Sequence, residues 1–170
     1  MVTGMICLMV IIFMLKRLQP SGWQIANLLL FVANVVAVRT IPRLDSSNQM
    51  LQPLNYFTPA PYAFSIWAVI YLFELVFVAW QMLLPMHYRK RMLDRASPWW
   101  CAANACQVSW CFAFRPALDT PGLGWIPAVF LSGIALSLNR AHSVLALGSD
   151  LNQSVFMYAP LTLHFGWVSA

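Results

Sequence analysis

Residues 59–84, PAPYAFSIWAVIYLFELVFVAWQMLL, make an apolar run long enough to cross a bilayer, and the run carries one carboxylate, Glu74. An ionised acid at membrane depth is strongly unfavourable unless it faces protein, water or a partner. A lipid-solvated helix would not keep one uncompensated, so Glu74 marks an inward face. Counting at the helical repeat puts Phe64, Trp67, Tyr71, Glu74, Val78 and Gln81 in one stripe. The opposite side presents Val69, Ile70, Leu72, Phe73, Val76 and Phe77, which acyl chains tolerate.

Composition extends this to the whole chain. Hydrophobic residues make up 61% and charged residues 9%, with a mean hydropathy of +0.68. A soluble domain has roughly 45–50% apolar and about 25% charged residues. The chain therefore reads as an integral, multi-pass membrane protein, and 170 residues hold five or six spans with no separate soluble domain. Apolar runs fall at 2–15, 23–38, 60–84, 99–114, 125–138 and 155–170, separated by Pro, Gly and charge clusters. The expected fold is an all-α polytopic membrane helix bundle, with five core transmembrane helices in 23–170 and a short N-terminal apolar segment in 1–17.

Both ends are unusual. The run 2–15 is short for a span and is followed by Lys16 and Arg17. It fits a reverse signal-anchor, the apolar core of a targeting peptide, or the tail of an upstream helix; a cleavable signal carries its basic residues in front, which disfavours that reading. The last run stops without a polar flank, and the expectation is a chain cut inside or just after a helix.

Basic residues partition seven to three. Lys16, Arg17, Arg89, Lys90, Arg91, Arg95 and Arg140 share one side, and Arg39, Arg43 and Arg115 the other. Such a bias orients a multi-pass chain. The net charge of +5 reads as topology plus attraction to anionic lipid headgroups, and the absence of aromatic-basic interleaving argues against a nucleic-acid partner.

Two more helices carry polar stripes. Gln24, Asn27, Phe31 and Asn34 share a face in the first core span, and Trp100, Asn104, Gln107, Cys111 and Phe114 share one in the third. In hydrocarbon such amides need interhelical partners. Three helices with one polar stripe apiece imply a bundle with a polar interior. Amides in this setting serve as packing glue, the plainer reading for Asn27 and Asn34, or line a ligand cavity.

Other patterns carry no chemistry. Cys101, Cys106 and Cys111 are five apart, so they neither share a helix face nor build a metal site, and with Cys7 they read as small core residues. The Asn152-Gln153-Ser154 triplet fits a glycan acceptor but falls on the basic side. The basic run 89–95 reads as a topogenic loop. Nucleotide-binding, hydrolase and metalloprotease motifs are missing, so catalysis has no sequence support and the chain is not expected to be an enzyme.

Three segments carry a family resemblance. Thr58 to Tyr71, TPAPYAFSIWAVIY, resembles the loop and second helix of the tryptophan-rich sensory protein family, the translocator-protein or peripheral benzodiazepine receptor group, with Trp67 and Tyr71 four apart. Asn104 to Trp110, NACQVSW, is similar to its third-helix pattern of an amide three residues before a Trp. Pro160 to Ala170, PLTLHFGWVSA, resembles the fifth helix of the longer, divergent branch. The resemblance covers 23–170. Gln107 stands where the family usually has Asn, and the run 2–15 lies outside the five-helix core.

The resemblance implies an aromatic-walled pocket inside the bundle for a flat hydrophobic ligand, a tetrapyrrole such as haem or protoporphyrin, or a sterol, held for transport, buffering or sensing, with no cofactor required. Matching positions give Tyr62, Phe64, Trp67 and Tyr71 on one wall, Asn104, Gln107 and Trp110 on another, and Trp167 closing the space. It also implies homodimers, although no dimer surface is legible in the residues. Glu74 could pair with an amide, sit protonated, or act as a proton or substrate site. His164 is a second polar candidate; imidazole is a usual haem ligand, but no second ligand accompanies it at a telling spacing. A rival reading makes the chain a structural subunit whose stripes contact neighbouring subunits or pigments. A third, an enzyme degrading a bound porphyrin, is permitted by the resemblance and not demonstrated by these residues.

Overall fold

The computed structural model describes residues 20–42, 61–83, 93–115, 122–146 and 151–170. The N-terminal segment 1–17, the loop 43–60, the basic positions 89–91 and the side chain of Asn152 lie outside the described residues. Five α-helices are present among those described: α1 Gly22–Thr40, α2 Ile66–Leu83 preceded by a 3-10 turn at Pro61–Ser65, α3 Asp94–Ala113, α4 Trp125–Ala146 and α5 Leu151–Ser169.

Local chemistry sets where α1 begins. The Ser21 hydroxyl accepts the Gln24 backbone N–H at 3.4 Å, and Gln24 Oε1 accepts the Ser21 backbone N–H at 2.7 Å, a capping box that satisfies two otherwise orphaned donors. From there Gln24, Asn27, Phe31, Asn34 and Ala37 are buried at steps of three and four, the stripe expected for this helix.

Helix α2 departs from expectation. Its buried residues are Ile70, Glu74, Phe77, Val78 and Gln81, so Ile70 and Phe77, assigned above to lipid, belong to the interior. The cause is a third neighbour. Besides packing on α1 and α5, α2 meets the Trp100 ring of α3 through Phe77, edge to face at 5.2 Å between centroids, which widens its covered arc.

Three boundaries also differ. Helix α3 starts at Asp94, not 99, and carries Pro98 inside; Ala96 and Ser97 in this added stretch are buried. Helix α4 continues past Arg140 and His142 to Ala146, because Ala141 and Leu145 prolong the buried row of Ile134 and Leu138 at helical spacing. The Arg140 side chain lies on the exposed face, where its charge does not interrupt that row. Helix α5 starts at Leu151, before position 155, and keeps Pro160 within it.

The helices close into a ring. Helix α1 packs on α2 and α3, α3 on α4, α4 on α5, and α5 back on α2, giving the order α1, α2, α5, α4, α3 around the bundle. Phe77, Trp100, Ile134, Leu138, Met157 and Leu161 belong to its apolar core. Outside, Leu29, Leu72 and Leu136 are exposed, as are Trp99 and Trp125 near the starts of antiparallel neighbours α3 and α4. Segments Gly22–Thr40, Tyr62–Leu83 and Trp125–Leu145 are long and apolar enough to cross a membrane. An apolar exterior around buried amides, one acid and one imidazole inverts the pattern of a water-soluble bundle. The fold is an all-α membrane helix bundle.

Candidate functional site

Two polar clusters occupy the ring, and they differ in kind. Toward the start of α1, Asn27 Nδ2 donates to Gln81 Oε1 at 2.8 Å and to Ser97 Oγ at 2.9 Å, while the Cys101 thiol donates to Asn27 Oδ1 at 3.1 Å. Gln24 Nε2 donates to the Gln81 carbonyl. This cluster ties α1, α2 and α3 together and uses nearly every polar atom in it. It is packing glue, the role expected for Asn27. Ser97 and Cys101 went unrecognised in the sequence, because neither residue type signals an interhelical bond until its neighbour is known.

Asn34 behaves similarly. Its Nδ2 donates to Asn104 Oδ1 at 2.9 Å, and Asn104 Nδ2 donates to the Trp100 carbonyl at 3.1 Å. The Asn104 amide is thus engaged in joining α3 to α1.

The second cluster sits toward the start of α2. Glu74 Oε1 and His164 Nδ1 are 2.8 Å apart and both side chains are fully buried, pairing α2 with α5. Trp67, two turns before Glu74 in the same stripe, lies edge to face with the His164 imidazole at 5.5 Å and stacks on Tyr71 at 5.7 Å. Trp167 meets Trp67 at 6.4 Å and Phe64 at 5.9 Å, both edge to face. Gln107 Nε2 reaches from α3 to donate to the Tyr71 hydroxyl at 3.0 Å. Phe64, Trp67, Tyr71, Gln107, His164, Glu74 and Trp167 therefore form one continuous group, with the rings in contact with one another.

Three of the sequence candidates stand apart from it, Asn104 through its bonds to Asn34 and the Trp100 carbonyl, and Tyr62 and Trp110 by position. Tyr62 is 81% exposed, on the outside of the turn that enters α2. Trp110 stacks on Phe114, the residue that caps its own helix, at 5.0 Å.

Satisfaction of polar atoms separates the clusters most clearly. In the aromatic group, Glu74 Oε2, His164 Nε2 and Gln107 Oε1 are buried without a hydrogen-bond partner in the protein. Leaving such groups unmade costs on the order of 1–3 kcal/mol each, and native proteins rarely do so without a compensating role. Asn34 Oδ1, Gln81 Nε2, Trp100 Nε1, Trp110 Nε1 and Arg115 Nε share this state, but nowhere else among the described residues do an acid, an imidazole and an amide gather beneath a set of aromatic rings.

Two grooves flank α2 on the outer surface. One, of about 550 Å³, runs between α2 and α5 and is lined by Phe73, Thr162, Gly166 and Trp167 among others. The other, of about 430 Å³, runs between α1 and α2 beside Tyr71. Each is thus bordered by one ring of the aromatic group.

A closed ring of five helices, apolar outside and holding an acid, an imidazole and amides within, defines a membrane bundle with a polar-aromatic interior. The family model for TSPO-like proteins matches residues 23–170, all five helices, and the chain belongs to that family. Membership makes it a membrane protein of a generally ligand-binding kind. No curated protein and no solved structure matches it.

Proposed function

We propose that this chain is a multi-pass membrane protein that binds a flat hydrophobic ligand of the tetrapyrrole or sterol class at the aromatic end of the ring, and carries, buffers or senses it rather than converting it. The observation that carries this reading is the meeting of four rings, Phe64, Trp67, Tyr71 and Trp167, with buried unpartnered atoms on Glu74, His164 and Gln107. Ligand sites in bundles combine apolar and aromatic walls with a few placed polar groups. A tetrapyrrole offers ring faces to the aromatics and N–H or carboxylate groups to the orphaned atoms; a sterol offers a single hydroxyl. The larger number of waiting polar atoms favours the tetrapyrrole.

The test is titration of the purified protein, in detergent or lipid nanodiscs, with protoporphyrin, following tryptophan fluorescence. Saturable quenching, weakened several-fold by Trp67→Ala and by Tyr71→Ala, supports the reading. Binding indifferent to both substitutions, or no binding of protoporphyrin or a sterol, defeats it. Co-purification with a stoichiometric partner chain covering the same rings would instead favour the structural subunit.

A further inference from the structure

We propose that Glu74 and His164 form an intramembrane proton-binding site linked to the ligand: the pair takes up one proton when the aromatic group is filled. The proposal rests on the ligand site read above and adds a proton to what that site binds. Geometry fixes the proton count. With His164 Nδ1 and Glu74 Oε1 2.8 Å apart, one hydrogen lies between them, because a bare ring nitrogen and a bare carboxylate oxygen repel. That state carries one negative charge. A second proton has two places to go, His164 Nε2 or Glu74 Oε2, both buried and without a partner in the protein. Its arrival forms one N–H or O–H bond, keeps the hydrogen bond between Nδ1 and Oε1, and leaves the pair neutral. The proton comes from water, and no group or electron leaves.

Among the described residues no cation other than His164 is paired with Glu74 to balance the negative state. Helix α1 turns amides and Phe31 inward, and its Arg39 is exposed. On α3 the ionisable groups are three thiols, of which Cys101 donates to Asn27 and Cys106 faces Gly133 on α4; Asp94 and Arg95 are exposed at its start, and Arg115 lies just past its end. Helix α4 contributes Arg140, which is exposed, and His142, whose ring lies against Tyr158 on α5, six positions before His164. On α2 itself the Tyr71 hydroxyl accepts from Gln107, and Tyr62, in the turn before it, is exposed. The charge on the pair is therefore set by its own protons and by its surroundings, and the two residues titrate as one unit.

The ligand site touches that unit directly. Trp67 lies edge to face with the His164 imidazole at 5.5 Å and stacks on Tyr71, so a flat apolar molecule among these rings makes the surroundings of the pair less polar. Such a change disfavours a charged unit over a neutral one. Filling the site thus favours the two-proton state, and by reciprocity acid strengthens binding. A purely structural link between α2 and α5 gives no such coupling. It also leaves unexplained why each member keeps one buried atom unmet, in a setting where acids and imidazoles mark proton sites.

The experiment uses the full chain in nanodiscs and the dimethyl ester of protoporphyrin, which is metal-free and lacks carboxyl groups of its own to titrate. Binding in weak buffer with a pH indicator is expected to draw up to about one proton per bound ligand, and affinity to rise by up to about 10-fold per pH unit of acidification across the window of uptake. Glu74→Gln, which keeps an acceptor for the Nδ1 proton but cannot ionise, is expected to bind with neither uptake nor pH dependence. His142→Gln, on the far side of Tyr158, is expected to keep both. Glu74 is the only glutamate in the chain, so glutamate labelled with carbon-13 at its side-chain carboxyl reports it alone in the native protein. Its resonance is expected to move on ligand binding and to titrate with the midpoint of the uptake. Saturable binding without proton uptake between about pH 5 and 8, uptake that survives Glu74→Gln, or a labelled carboxyl that stays still overturns the proton site while leaving the pocket standing. Failure of the ester to bind at any pH overturns the proposal, and failure of protoporphyrin as well overturns the ligand reading with it. The labelled native chain decides the matter even where Glu74→Gln prevents folding.

Discussion

Gln107 on α3 donates to the Tyr71 hydroxyl on α2 at 3.0 Å, a bond between two helices that are not neighbours in the ring. It crosses the interior at the level of the aromatic group, while Phe77 and Trp100 fill the crossing further along. The Gln107 carbonyl, on the same amide, has no partner. Tyr71→Phe therefore leaves the Gln107 amide without its partner at Tyr71. It is expected to lower stability in detergent by roughly 0.6–2 kcal/mol, the range for an interhelical bond in membranes. Gln107→Leu removes donor and acceptor together, and the pair of substitutions should cost less than the sum of the two. A thermal-unfolding double-mutant cycle checks this; strict additivity would contradict the bond.

Breaking the acid-imidazole pair from one side should be far worse than removing it. Glu74→Leu leaves a fully buried imidazole facing hydrocarbon and is expected to cost about 3–5 kcal/mol, whereas Glu74→Leu with His164→Leu should recover much of the loss. The measurement is the yield of monodisperse protein and its unfolding midpoint. A double variant no better than Glu74→Leu alone would refute the pairing.

Asn27 and Asn34 look alike in sequence but should respond differently. Asn27 makes three side-chain bonds to α2 and α3, and Asn34 donates one to Asn104. Asn27→Leu is expected to destabilise by about 2 kcal/mol and Asn34→Leu by about 1 kcal/mol, taking interhelical bonds at their usual worth. Equal losses on chemical denaturation would sink the distinction.

Gly133 lies where α4 comes against α3, and a Cβ built there would be 2.9 Å from the Cys106 sulfur and 3.7 Å from its Cβ. Gly133→Ala forces that short side chain to turn or the helices to part, an overpacking cost of about 1–3 kcal/mol. Cys106→Ala removes the obstructing sulfur. The double variant should therefore regain most of the stability lost by Gly133→Ala alone, and a midpoint that stays low would show that the strain lies elsewhere.

Much of this arrangement could be read along single helices. The stripe from Gln24 to Asn34 and the one from Trp100 to Cys111 are buried as periodicity implies, since each needs only the helical repeat and the cost of exposing amides to lipid. Pairings across helices were beyond that reach. Glu74 and His164 are ninety positions apart, and nothing local to either names the other. Phe77 was misplaced for the same reason: only the position of Trp100 makes an apolar residue on that side interior. Helix α4 outran its expected end because Arg140 stopped a hydropathy reading that the row Ile134, Leu138, Ala141 and Leu145 carries straight through. Of the candidate residues that the structure gathers, Trp67, Tyr71, Gln107 and Trp167 come from the family resemblance, whereas the outward setting of Tyr62 depends on the turn that precedes α2.

The ring order has a consequence for biosynthesis. Because α5 closes the circle against α2, Glu74 leaves the ribosome ninety residues before its imidazole, an interval of roughly 5–18 s at ordinary elongation rates. Throughout that time the nascent chain presents an uncovered acid, which makes α2 a poor occupant of lipid and a natural client for retention at the insertion machinery. Synthesis of α5 is then the event that covers it, so the contact that closes the ring onto α2 also marks the moment at which the circle is complete.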